Sequence, residues 1–178
     1  MSFGVDKILS ELAKNIHENA LEKKFWDTDG YDDFELRRQF ISMEFAELGD
    51  CIRNGSSSIR CDKDINLSAY EEEIADICIW AMDYLYKSNP SIIIKEMGNT
   101  LFDCKIDDGC CSKLTVLAHI QMRMWRGMKP EPTLLELISS MYHYHEKYKG
   151  NGDKEWLDII RLKHEYNITR EERHGKKI

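Results

Sequence analysis

Residues 68–87 read SAYEEEIADICIWAMDYLYK, and the order of apolar and acidic positions within them decides the fold class. Ser68 and Glu71 stand at the spacing of a capping box, in which the two side chains satisfy free backbone N–H groups of a first helical turn. The spacing therefore predicts a helix from Ser68 to about Lys87, closed by Ser88-Asn89-Pro90. Ile74, Ile77, Cys78 and Ala81 make one apolar stripe at helical spacing, and Ala75, Ile79 and Met82 make a second. Between them run Glu73, Asp76, Trp80 and Asp83, at intervals of three, four and three. Carboxylates on a face that ought to be buried carry a large desolvation cost or lose their charge, so something must compensate.

The preceding helix, expected over Asp33 to Arg53, repeats the pattern. Glu44 and Glu47 share a stripe with Phe40 and Cys51, beside Ile41, Phe45, Leu48 and Ile52 on one flank and Met43 and Ala46 on the other. Polar stretches at Ser56-Ser57-Ser58 and Asp62-Lys63-Asp64 leave a loop long enough for the two helices to run antiparallel. Side chains three apart on a helix have Cβ atoms about 5–6 Å from each other and reach a common ion. Four carboxylates brought face to face repel unless divalent cations sit between them, and hard oxygen donors suit Mg²⁺ or Mn²⁺. A single E-x-x-E is equally what a solvated helix face presents.

Elsewhere the helical period dominates. Val5, Ile8, Leu9, Leu12, Ala13, Ile16 and Ala20 define an amphipathic first helix, ending near Asp27-Thr28-Asp29-Gly30. Ile92-Ile93-Ile94 has strand propensity but is short and isolated, so residues 91–109 are read as weak helix or loop. Further helices are expected over 112–128, 132–147 and 153–168, with Gly150-Asn151-Gly152 as a break before the last. The result is an all-α class: one domain, residues 1–178, built as a bundle of about five to seven helices.

Composition narrows the function. The 178 residues are 42% hydrophobic and 32% charged, which suits one globular core. A formal charge of −7 argues against a general nucleic-acid binder. The absence of an apolar run of about 18 residues argues against a membrane span. The opening residues lack a secretory pattern, so the cytoplasm is expected. The six cysteines are read as thiols. Cys104, Cys110, Cys111 and His119 do not match ordinary zinc-ligand spacing. The chain ends in a basic stretch, Arg161, Lys163, Arg170, Arg173, Lys176 and Lys177, where forked and point-charge donors could meet an anion or simply be solvated.

Glu44-x-x-Glu47, 25 residues, then Glu73-x-x-Asp76 resembles the E-x-x-E…E-x-x-D signature of the all-α nucleoside triphosphate pyrophosphatase superfamily, specifically its MazG-like members. Two further stretches resemble that family: Ile16-His17-Glu18-Asn19-Ala20-Leu21-Glu22-Lys23-Lys24-Phe25-Trp26, and Lys163-His164-Glu165-Tyr166-Asn167 with the tail to Lys177. The likeness spans residues 5–86 and 155–178. It departs at Glu171, where the family has proline, and at residues 88–152, longer than the usual connection and expected to be a helical elaboration between core helices.

The resemblance implies an all-α pyrophosphatase-like core that hydrolyses (deoxy)nucleoside triphosphates to a monophosphate and pyrophosphate, in nucleotide pool control or house-cleaning. It implies Mg²⁺, with Mn²⁺ possible, on Glu44, Glu47, Glu73 and Asp76, and triphosphate contacts from Lys163 and Asn167. Arg170 and Arg173 follow as phosphate donors. Glu47 is a candidate proton acceptor, His17 and Trp26 are candidates to meet the base, Trp80 is favoured as core, and Asp83 is a further acid. A homodimer or higher homo-oligomer is expected. The other class to test is a non-catalytic helical nucleotide or metal sensor, or an interaction module whose acids pair with the basic tail.

Overall fold

The computed structural model describes residues 3–26, 34–55, 65–90 and 112–170. They contain six helices: α1 (Phe3–Glu22), α2 (Phe34–Arg53), α3 (Ala69–Ser88), α4 (Lys113–Arg126), α5 (Pro130–Tyr148) and α6 (Trp156–Thr169). The all-α expectation holds. The expected turn at 27–30, the polar loop at 56–64 and the segment 91–109 lie outside the described residues, as do Arg173 and Cys104, Cys110 and Cys111.

Helix α3 is the axis of the bundle, with α1, α2, α5 and α6 all packed on it. Its capping box forms as the sequence requires: Ser68 N–H donates to Glu71 Oε2 at 2.7 Å, and Glu71 N–H donates to Ser68 Oγ at 3.2 Å. Surrounded on every side, α3 buries Ile74, Ala75, Ile77, Cys78, Ala81, Met82 and Leu85. Full burial of an aliphatic side chain of this size contributes about 1.5–3 kcal/mol, so α3 anchors much of the core.

Helices α4 and α5 add to that same core. Leu134, Leu137, Ile138 and Met141 of α5 and Val116, Ile120 and Met124 of α4 join Ile41 and Leu48 of α2 in one core, with α5 packed on α3 and α4 on α2. The α4 terminus is held from α2: Arg38 Nη1 donates to the carbonyls of Trp125 at 2.9 Å and Gly127 at 3.1 Å, satisfying acceptors that a helix end leaves open. Helix α5 starts at Pro130, two residues earlier than the sequence period suggests, because proline fits the first turn where no amide donor is needed.

The segment before α6 is stapled to α3. Glu71 Oε1 accepts from the Lys154 N–H at 2.6 Å, and His145 Nε2 bonds the Lys154 carbonyl at 2.8 Å. Asp153 meanwhile turns back to accept from the Gly150 N–H at 2.6 Å. These bonds keep 153–155 out of the helix, so α6 begins at Trp156 rather than near Asp153. Among the described residues, no helix is long and apolar enough to cross a membrane.

Candidate metal centre and adjoining cavity

Helices α2 and α3 run antiparallel, as the paired contacts along them show. Arg37 lies beside Asp83, and Phe40 stacks on Trp80 with ring centroids 5.3 Å apart. One turn further, Trp80 Nε1 donates to Glu44 Oε1 at 3.1 Å. That register carries Glu44, Glu47 and Glu73 to one point, where a carboxylate oxygen from each lies within 4.8 Å of the others.

Burial grades the three. Glu73 is buried, Glu44 half-buried and Glu47 exposed, so the cluster opens to water on the Glu47 side. Glu73 Oε2 is buried with no hydrogen-bond partner. Burial, followed by the charges of Asp76, Glu47, Glu44 and Glu72, pushes the Glu73 carboxyl up to about 9. Burial and then the Asp76 charge raise Glu44 to about 7, against the Trp80 hydrogen bond that favours its charged form. A cation at this point would favour the charged form of both carboxyls. Cys51, next on the α2 stripe, is driven up to about 11 by burial and the neighbouring carboxylates. It stays a thiol near neutrality, leaving three hard oxygen donors that fit Mg²⁺ or Mn²⁺.

Asp76 is placed differently from the symmetrical four-acid arrangement expected above. Its Oδ2 lies 2.7 Å from Lys163 Nζ, and the same ammonium bonds Glu72. Lys163 is 1% exposed, so its expected contact with a triphosphate is replaced here by a buried pairing with two acids. Burial opposes its charge, but Asp76 and Glu72 outweigh that and raise its pKa. Asp76 thereby stands between the three glutamates and a cation contributed by α6.

The base-binding candidates are also committed. His17 Nδ1 lies 2.7 Å from Asp83 Oδ1, and Trp26 Nε1 donates to the same oxygen at 3.1 Å. Arg37, 1% exposed, has its guanidinium 4.5 Å from the Trp26 ring centroid and 4.6 Å from that of Trp80, with Asp83 Oδ2 at 3.4 Å. His17 and Trp26 thus help hold a buried Arg37–Asp83 pair. Arg170 caps α6, its carbonyl accepting from Lys23 Nζ at 2.6 Å and its guanidinium 5.6 Å from the Tyr166 ring.

Beside the acids, between α1, α3 and α6, lies a small pocket of about 50 Å³, open to solvent. Phe25, Ile79 and Trp80 give it apolar walls, while Asn19, Asp76, Asp83, His164 and Asn167 supply polar groups. No family model, curated protein or solved structure matches this chain. Its chemistry therefore rests on geometry. Trp80, favoured as core from its neighbours, is half-buried and joins the two parts of the site, lining the cavity while bonding Glu44.

Four participants escaped the sequence reading. Glu72 shares the stripe of Asp76 one turn on, a signal present in the spacing. Arg37 falls two turns before Glu44 on the α2 stripe, so a buried arginine was also readable. Asn19 and His164 had no such signal, since their place depends on how α1 meets α6.

Proposed function

We propose that this protein is a Mg²⁺-dependent nucleoside triphosphate pyrophosphohydrolase, with Mn²⁺ as a substitute. The observation that carries the reading is the meeting of Glu44, Glu47 and Glu73 within 4.8 Å, one of them with a buried, unpartnered oxygen, beside a solvent-open pocket. Glu44, Glu47 and Glu73 would hold the metal, with Asp76 adjoining. A divalent ion there supplies charge neutralisation for phosphate oxygens and lowers the pKa of water.

The chain's own groups do the rest. Trp80 fixes the Glu44 carboxylate through its indole N–H. Lys163 holds Glu72 and Asp76 in place, so the acid cluster does not spread under its own repulsion. Glu47, the exposed member, faces water and is the carboxylate placed to accept a proton. Water adds to the α-phosphorus, the bond from that phosphorus to the α–β bridging oxygen breaks, and pyrophosphate departs, leaving a monophosphate.

The test is pyrophosphate release by purified protein across the common NTPs and dNTPs, with Mg²⁺ and with Mn²⁺. Release that is abolished by chelation supports the proposal; none with any base or either metal overturns it. Titration calorimetry separates the sensor reading, in which nucleotide binds and is recovered unchanged.

A further inference from the structure

Trp80, whose indole N–H donates to Glu44 at 3.1 Å, is half-buried and lines a pocket open to solvent, so its place on α3 does not by itself hold the ring. Its neighbours do. Phe40 stacks on the indole with the two planes 12° apart, and Phe25 meets it edge-on with centroids 5.7 Å apart. The Arg37 guanidinium adds a charge, 4.6 Å from the Trp80 centroid and 4.5 Å from that of Trp26. A desolvated cation over an indole face is attracted by the ring, and a guanidinium stacks there as an ammonium does not. Arg37 is almost wholly buried, and a buried ion pair is weak evidence of a stabilising role, since apolar residues of similar volume often serve as well.

Arg37 is itself held. Asp83 follows Trp80 by one turn of α3, with its Oδ2 3.4 Å from Arg37 Nη2. The other oxygen of Asp83 receives Trp26 Nε1–H at 3.1 Å and lies 2.7 Å from His17 Nδ1. His17 and Trp26 thus fix Asp83, Asp83 and Trp26 fix Arg37, and Arg37 lies on the ring that bonds Glu44. We propose that Arg37 is a positioning residue for the glutamate cluster: it holds the Trp80 indole so that its N–H stays on Glu44, one of the three carboxylates that would share a divalent cation. The cation rests on the hydrolase proposal above; the role of Arg37 goes beyond it. Groups that hydrogen-bond a metal-ligating side chain orient it, and their loss weakens metal binding by about 10–100-fold.

The Trp80 indole N–H resonance, assigned by its absence in Trp80→Phe, reports the bond to Glu44 in chelator, and calorimetric titration with Mn²⁺ reports the cluster. Arg37→Lys keeps a positive charge beside Asp83 but loses the planar fork. It is expected to move that resonance, to speed exchange of its proton with water, and to weaken Mn²⁺ binding about tenfold, as Trp80→Phe does. The two changes together should bind Mn²⁺ no more weakly than Trp80→Phe alone, because a residue acting through Trp80 then has nothing left to act on. Should Arg37→Lys fail to fold, Arg37→Met with Asp83→Asn removes both charges and carries the same expectations. An unmoved indole resonance in a folded variant, or losses of Mn²⁺ affinity that add in the combined variant, overturns the proposal. Wild-type protein that takes up no Mn²⁺ defeats the hydrolase reading, and the indole resonance then decides the role of Arg37 by itself. Mn²⁺ uptake without pyrophosphate release defeats the hydrolase reading alone.

Discussion

Lys163 Nζ lies 2.7 Å from Asp76 Oδ2 at a point where both groups are largely removed from water, and it bonds Glu72 as well. A buried ammonium with two carboxylate partners is tolerable only as a set, because removing one member leaves uncompensated charge in a medium that solvates it poorly. Lys163→Met is therefore expected to destabilise the protein by about 3–5 kcal/mol. Adding Glu72→Gln should recover part of that loss. Denaturant unfolding of the two variants checks both halves, and equal stability of Lys163→Met and wild type would show that the pairing is energetically idle.

Glu73 behaves in the opposite way when it is neutralised. Its carboxyl is buried, crowded by four other acids and holds an oxygen without a partner, so in chelator the charged form is a liability. Glu73→Gln should raise the melting temperature of the metal-free protein while removing pyrophosphate release and the stabilisation that Mg²⁺ brings. A Mg²⁺-induced thermal shift as large in Glu73→Gln as in wild type is the result that would count against a metal centre at this position.

The same two carboxyls set a pH dependence. Folding raises Glu44 to about 7 and Glu73 to about 9 from an ordinary carboxylate value of 4.5, so the native state holds more protons than the unfolded chain between those values. Stability falls with rising pH wherever the native state binds more protons. Their contribution is complete below the ordinary carboxylate range and is lost as pH rises through 7 and then 9. Metal-free protein is expected to melt at progressively lower temperature from about pH 5 to pH 9, and Mg²⁺ to flatten that slope by favouring the charged forms. A slope unchanged by Mg²⁺ would separate these acids from any cation.

The part of the site visible in the sequence is the part generated by local periodicity. The Ser68–Glu71 box and the acid stripes on α2 and α3 follow from three- and four-residue spacings, so their convergence needed only the antiparallel packing of two adjacent helices. Lys163 was readable as a helix-borne cation, but its partner Glu72 lies 91 residues away, and either phosphate or a buried acid satisfies the same side chain. Asn19 illustrates the other limit. On α1 alone it is an ordinary polar position, and it lines a pocket only because residues of α3 and α6 complete the wall. The start of α6 was misplaced for a related reason, since bonds from Glu71 and His145 hold Lys154 in the loop.

The corner between α4 and α5 offers a test of the fold that leaves the acids untouched. Gly127 sits in an ordinary extended conformation, so its requirement is space: a Cβ built there overlaps the Thr133 side chain at the start of α5. Its carbonyl also accepts from Arg38, which fixes the end of α4 to α2. Any added methyl must therefore push α5 away or break the Arg38 clasp. Gly127→Ala is expected to cost about 1–3 kcal/mol, the range for overpacking a well-filled interior. Thr133→Ala in the same chain removes the hydroxyl and methyl that collide and should return part of the loss, whereas additive destabilisation by the two changes would mean the clash is relieved elsewhere.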